Sequence, residues 1–350
     1  PACANEWVRG VCEKPRVRCG ECPNQAFIPV TERTIHDHFR GRHVIGVYPM
    51  LEDETCSFLA VDFDKGSWRD DVAAFADTCR SKKVPFAVER SRSGEGAHVW
   101  FFFNSPIPAG MARKMGCYLI TETMAQRHEL SMASYDRLFP NQDTMPRGGF
   151  GNLIALPFQD GPRQQGNSVF VDETWTPHPN QWAFLASIRR MTPGQVEALV
   201  IDAQAKGQVL GARVSEFSDD DGNDTPWMCR PSRRATKLII AEPLPTRVCS
   251  VLSQLAFVET AGLPSPLINR IKRLAAFLNP EFYKKQAMRM STALTPRIIS
   301  CAEEHPRHIA LPRGCMDALQ GLLAEFNVTL EIDDQRADGA SLDARFQGDL

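Results

Sequence analysis

The sequence has no apolar run long enough to cross a bilayer, for which about 18 consecutive residues are needed, so a transmembrane helix is excluded. It opens on Pro1-Ala2-Cys3 without the basic-then-apolar pattern of a secretory leader, so nothing marks it for secretion, and its cysteine usage fits a cytoplasmic setting. An initiator methionine is missing too, which fits a segment of a longer chain. Charge of one sign is scarce: 40 Lys and Arg against 42 Asp and Glu leave a net charge of -2. That balance does not advertise nucleic-acid binding, and any basic surface must be local. No G-x-x-x-x-G-K followed by Ser or Thr occurs, which excludes ATP hydrolysis by that route. Internal repeats are absent.

What is present is an ordinary globular composition, 43% hydrophobic and 23% charged over 350 residues. That length suffices for two domains, or one large domain with appendages. Eleven cysteines are an odd count, and most sit singly in apolar surroundings, as at Cys56, Cys79, Cys117 and Cys249. They read as reduced thiols and not as a disulfide framework.

The most informative stretch runs from Cys56 to Asp64, an apolar segment ending in Asp62-Phe63-Asp64. In a β-strand alternate side chains share a face, so Asp62 and Asp64 point one way and Leu59, Val61 and Phe63 the other. Two adjacent carboxylates raise each other's pKa unless a cation neutralises them. Carboxylate oxygens suit Mg²⁺ or Mn²⁺. Taken alone, the pair could equally be solvated at a strand end.

Four cysteines, Cys3, Cys12, Cys19 and Cys22, fall within the first 22 residues. Cys19-Gly20-Glu21-Cys22 is a C-x2-C knuckle, and Cys3 with Cys12 would complete a four-thiolate zinc site of structural type. Metal binding would then supply much of the folding free energy of a segment with little core. A second completion takes Cys19 and Cys22 with His38 and His43. A metal-free loop is the plainer alternative.

Beyond Asp64, the spacing of Val72, Phe75, Ala76 and Cys79 predicts a helix from Arg69 to about Lys82. Val84 to Glu89 reads as a strand, Ser91 to Ala97 as a Gly-rich connection, and His98 opens a strand through Phe103. This order implies helices on one face of a mixed sheet. Ser91, Arg92 and Ser93 gather donors suited to a triphosphate beside His98, although a satisfied core histidine is the blander account. A long helix is expected from Gly110 to about Glu129. Asp136 follows, where a third carboxylate could join the first two. The run Arg147-Gly148-Gly149-Phe150-Gly151-Asn152 could wrap phosphates with backbone N–H groups, or be a turn before the strand Leu153 to Leu156.

In order, Asp62-Phe63-Asp64, Ser93-Gly94-Glu95-Gly96-Ala97-His98, and Tyr135-Asp136 with the Arg147 to Asn152 run resemble the three-motif layout of archaeo-eukaryotic primases. More narrowly, the chain is similar to the primase–polymerase module of TOTE conflict systems, in which a primase is fused to a helicase. The resemblance covers roughly residues 1–210, including the cysteine cluster and Ile45-Gly46-Val47-Tyr48-Pro49-Met50. It implies an α/β (α+β) fold with an RRM-like catalytic core, and template-directed nucleotide transfer onto DNA by a two-metal mechanism. Asp62, Asp64 and Asp136 would hold Mg²⁺ or Mn²⁺. Ser91, Ser93, His98, Arg147, Gly149 and Asn152 would bind the nucleoside triphosphate. Many relatives carry a serine two residues before the motif histidine; here that place is Gly96, so Ser91 or Ser93 would supply the hydroxyl.

The organisation expected is a zinc-knuckle segment over 1–44, a primase–polymerase domain over 45–214, an acidic flexible linker over 215–235, and a basic α/β region over 236–350. Within them, helices are expected over Gln181–Met191, Pro193–Lys206, Leu267–Leu278 and Cys315–Phe326, with strands at Leu238–Ile240 and Val328–Ile332. Arg270, Lys272, Arg273, Lys284, Arg297 and their neighbours make the last region locally basic, for nucleic acid or simply for solvent. Single-stranded or primed DNA, nucleoside triphosphates and a helicase are the implied partners, with no membrane. Two rivals stay open: a non-catalytic nucleic-acid-binding module on an RRM-like sheet, and a metal-dependent nuclease.

Overall fold

A computed structural model describes residues 3–14, 16–17, 21–64, 66–147, 149–206 and 240–337. The acidic stretch 215–235, Cys19, Gly148, Leu238 and Ile239 lie outside the described residues. Two compact units divide the chain, Pro1–Leu238 with Leu278–Ile299, and Ile239–Phe277 with Ser300–Leu350. The basic region expected as one block from 236 is therefore interrupted, because Leu278–Ile299 belongs with the first unit.

In chain order the first unit holds helix α1 (Glu32–Phe39), strands β1 (Gly46–Val47) and β2 (Thr55–Phe63), helix α2 (Trp68–Ser81), strands β3 (Ala87–Arg90) and β4 (Ala97–Pro108), and helix α3 (Ala109–Gln126). Then come β5 (Leu138–Phe139), β6 (Ile154–Ala155), α4 (Asp160–Gln164), β7 (Val169–Val171), α5 (Gln181–Ser187) and α6 (Pro193–Lys206). Five strands make one sheet in the order β5-β2-β4-β3-β7. Every neighbouring pair is antiparallel. The expected mixed sheet is thus corrected: β4 turns back from β3 in a hairpin and seats itself beside β2, so no two neighbours run the same way.

Strand periodicity sorts the two faces. Leu59 and Val61 are 0% exposed and Phe63 4%. Phe63 and Phe101 meet Phe75 of α2, whose inner stripe includes Val72, Phe75, Ala76 and Cys79. Helix α3 comes closest at Gly116, where a Cβ would lie 3.0 Å from the Leu59 side chain and 2.9 Å from that of Leu138. The other face carries Phe58, Ala60, Trp100 and Phe102, packed with Phe139, Ile154, Phe158 and Phe170. Asp62 and His98 continue this second face toward its open end.

The second unit contains β8 (Arg247–Leu252), β9 (Ala256–Glu259), α7 (Ser265–Arg273) and the start of β10 (Ala276–Leu278). Helix α8 (Pro280–Ala287) lies in the segment that belongs to the first unit, and β11 (Ile298–Ser300) ends that excursion. Strands β12 (Glu303–Glu304) and β13 (His308–Leu311), helix α9 (Met316–Glu325) and β14 (Thr329–Asp334) follow. Its sheet runs β12-β13-β9-β8-β14, with β14 parallel to β8. Val248, Val258, Leu267, Ile271, Leu319 and Leu323 form its core. Helix α7 stops short of the expected Leu278 because Ala276–Leu278 is extended. Not all of the expected basic residues face solvent: Lys272 is buried with its Nζ 2.7 Å from Glu304, and Arg297 is 0% exposed. Among the described residues no helix is long and apolar enough to cross a membrane.

Candidate active site

Strand register builds the site. Asp62 on β2 lies opposite His98 on β4, and His98 lies opposite Glu89 on β3. On the other flank, the Asp62 N–H donates to the Arg137 carbonyl at 3.0 Å. One row across the sheet therefore reads Arg137, Asp62, His98, Glu89. Asp64, two residues past Asp62, shares its face.

The side chains meet accordingly. Asp62 Oδ1 is 3.6 Å from His98 Nε2. Arg137 Nη1 is 3.2 Å from Asp62 Oδ2 and also meets Asp64 Oδ2. Glu89 Oε2 lies 3.0 Å from His98 Nδ1 and accepts the Trp100 Nε1–H at 2.9 Å. Burial pushes the Asp62 carboxyl up, and the charge of Asp64 adds to this, while His98 and Arg137 pull it down. Burial lowers the His98 imidazole, but its hydrogen bond to Glu89, then the charges of Glu89 and Asp62, raise it on balance.

This donor set fits a divalent cation. Two carboxylates on one strand face demand a positive partner, and the Arg137 guanidinium stands in for one by bridging them. An all-oxygen set suits Mg²⁺ or Mn²⁺. Asp136 does not join the pair. It closes a 3₁₀ turn, Met132–Asp136, and its Oδ1 accepts the Arg297 N–H at 2.7 Å. Burial raises its carboxyl, against the pull of Arg297 and Arg137. No group of three or more metal-ligating side chains forms among the described residues. Arg137, the residue after Asp136, takes the place facing the two aspartates, a role that no motif in the sequence signals.

A family profile described as TOTE conflict system, Archaeo-Eukaryotic Primase domain matches residues 1–199. The chain belongs to this family. At family level this means primase-like nucleotidyl transfer, with nucleic acid and nucleoside triphosphates as ligands and divalent metals as the usual cofactor. No curated protein sequence matches the chain.

In this primase-family chain the second motif is built without a serine at 96 for a steric reason. A Cβ on Gly96 would lie 2.6 Å from the Phe63 carbonyl oxygen and 3.3 Å from Ser91 Oγ. The Ser91 hydroxyl thus sits beside the place a residue-96 side chain would enter, 3.2 Å from Ser93 Oγ. The glycine loop of the third motif faces elsewhere. Arg147 and Gly149 line a cavity of about 410 Å³ with Asn141, Phe150, Ser291 and Ala293. Asn152 is a brace: its Nδ2 donates to the Leu138 carbonyl at 2.8 Å and its Oδ1 accepts the Asn141 N–H at 3.3 Å.

Cys3, Cys12 and Cys22 line one small cavity, while Cys19 lies outside the described residues. The Ala26 N–H donates to Cys3 Sγ at 3.3 Å. In the two-histidine alternative, His38 has both ring nitrogens engaged. His38 is fully buried, with Nε2 3.0 Å from the Pro157 carbonyl and Nδ1 accepting the Ile45 N–H at 3.1 Å. His43 Nε2 is 2.9 Å from the Thr34 carbonyl.

Proposed function

We propose that this chain is a template-directed primase–polymerase that transfers nucleotides from nucleoside triphosphates onto DNA. The observation that carries the reading is the Asp62–His98 register pair, with Asp64 beside it and Arg137 bridging the carboxylates. Such a row sets a cation-demanding pair next to an imidazole able to meet a phosphate. The strand order β5-β2-β4-β3 around a β-α-β-β-α-β run supports an RRM-like core.

On this reading Asp62 and Asp64 hold Mg²⁺ or Mn²⁺ in place of Arg137. A divalent ion held there would supply charge neutralisation at the reacting phosphates and activation of the attacking hydroxyl, as in two-metal sites generally. Asp136, whose Oδ1 here accepts the Arg297 N–H, would be the third carboxylate of the set. His98, as the imidazolium, would donate its Nε2–H to a phosphate oxygen, with the Ser91 and Ser93 hydroxyls beside it. Arg147 and Gly149, which line a cavity of their own, would bind the nucleotide, and Asn152 holds their loop against β5. A zinc ion on Cys3, Cys12, Cys19 and Cys22 has a structural role. A cytoplasmic setting and a fused or associated helicase belong to the same reading.

A non-catalytic binding module would need strand aromatics open to bases. Trp100, Phe101 and Phe103 are 5%, 0% and 3% exposed, which weighs against it. A metal-dependent nuclease would leave His98 and its serines without a task. The deciding experiment measures labelled nucleotide incorporation on single-stranded DNA, with and without primer, in Mg²⁺ or Mn²⁺. Extension lost in Asp62→Ala/Asp64→Ala supports the reading, and product without primer adds priming. Wild-type protein that binds DNA and incorporates nothing with either metal overturns it.

A further inference from the structure

Glu89 is a charged residue in the middle of a sheet, on β3 between β4 and β7. It is 2% exposed, at a position where strands ordinarily carry an apolar side chain. Burying a carboxylate is costly unless donors meet it. Two do, both from β4 and both on one oxygen: His98 Nδ1 at 3.0 Å and Trp100 Nε1 at 2.9 Å. The same oxygen accepts the indole N–H, and with Glu89 the acceptor in both contacts Nδ1 of His98 carries the proton between them. Register fixes this geometry, since Glu89 and His98 are directly opposed, and Trp100 is the next residue on the same face. The indole donor holds the carboxylate in place, and the carboxylate holds the imidazole. The ring is thereby turned so that Nε2 looks across the sheet toward Asp62, 3.6 Å away.

We infer that Glu89 is a positioning residue for the proposed triphosphate ligand His98. It touches no substrate. It fixes which ring nitrogen is presented to the site, as carboxylates do for histidines that must offer one nitrogen in one direction. The inference rests on the primase–polymerase reading for what His98 binds. It does not need that reading for the Glu89–His98 contact.

The test compares Glu89→Ala, Glu89→Gln, His98→Ala and Glu89→Ala/His98→Ala in full-length protein. In primer extension, Glu89→Ala should raise KM for the nucleoside triphosphate about tenfold or more while kcat changes less. Glu89→Gln keeps an oxygen able to accept both N–H groups and should stay within about threefold of wild type. The double variant should be no worse than His98→Ala, because a residue acting only through His98 adds nothing once His98 is gone. In ¹⁵N-histidine NMR spectra, the Nδ1-protonated signature of His98 should persist in Glu89→Gln and be lost in Glu89→Ala. The inference is overturned by a Glu89→Ala defect that adds in full to His98→Ala, by a Glu89→Gln as poor as Glu89→Ala at equal melting temperature, or by a His98 spectrum indifferent to residue 89. Wild-type protein that incorporates no nucleotide, with the NMR response intact, would sink the function of the site and leave the positioning contact standing.

Discussion

At the end of β2, Arg137 spans Asp62 and Asp64 with 36% of its side chain exposed. In the interior of the same unit, Arg113 on α3 forks onto Asp143, with Nε at 2.5 Å and Nη2 at 2.7 Å from the two carboxylate oxygens, and is 1% exposed. Arg297 lies with this second cluster, stacked at 4.2 Å over the Phe282 ring and donating to the Asn141 carbonyl. Gln286 adds a bond to Asp143 at 3.1 Å. The chemistry is the same in both places, and burial separates their uses. A half-exposed guanidinium on two carboxylates can be exchanged for a hydrated cation, since water solvates whatever leaves. A buried one cannot leave without stranding charge in the interior. The first cluster is therefore suited to a site. The second is a clamp tying α3 and the chain after β5 to the segment Leu278–Ile299.

The largest effect that would test this contrast is on turnover. Asp62→Ala/Asp64→Ala should lower nucleotide incorporation by about a thousandfold or more, with the melting temperature unchanged or higher, because burial already disfavours the Asp62 charge. A variant that loses activity only because it unfolds would break the comparison. Next in size is the clamp. Arg113→Ala takes from Asp143 its main counter-charge and two hydrogen bonds and should cost about 3–5 kcal/mol of stability in denaturant titration. Its activity per folded molecule should fall far less than that of the aspartate pair.

A smaller effect sharpens the exchange idea. Arg137→Ala removes the built-in cation, so Mn²⁺ no longer has to displace it. A tenfold tighter site adds about 1.4 kcal/mol at saturating metal, which is about 3–5 °C in melting temperature for a unit of this size. The Mn²⁺-induced rise should thus be larger in Arg137→Ala than in wild type. Equal rises would mean that the guanidinium and the ion do not compete.

The two clusters also differ in how far the sequence announced them. Asp62 and Asp64 were legible because a strand's two-residue period alone puts them on one face, and the buried stripe of α2 followed from its spacing in the same way. That Asp62 faces His98 was not legible, since register is a property of two strands and their hairpin. Glu89 looked like a polar strand end; the only hint was its place on the same face as two donors once β3 and β4 are paired. Arg113 sits in a helix whose other inward positions are uncharged, where a cation reads as solvent-facing. Arg297 was read as part of a basic face, because its partners Asp136 and Asn141 lie more than 150 residues away. Motif order alone points to Asp136, and it cannot show that the carboxylate accepts an N–H from Arg297, far along the chain.

The smallest effect expected is on pH, and it separates the clusters by sign. Burial pushes Asp143 up, but the charge and hydrogen bonds of Arg113 outweigh this and bring it down to about 2. An unfolded aspartate titrates near about 3.9. The clamp's contribution is therefore complete above that value and is lost only as pH falls toward about 2, so acidification from pH 7 to 5 leaves it untouched. Asp62 is displaced the other way, with its carboxyl raised. Its ionised form costs the folded state stability, and protonation on acidification relieves that cost. The same proton competes with a divalent ion. Between pH 7 and 5 the Mn²⁺ concentration needed for half-maximal incorporation should rise, by at most about tenfold per pH unit below the raised pKa. The melting temperature of metal-free protein should show no loss traceable to either cluster. Calorimetry and extension assays on one pH series would check both. A clamp that weakens in step with metal affinity would mean that the two clusters titrate as one network, and exposure would no longer explain their different roles.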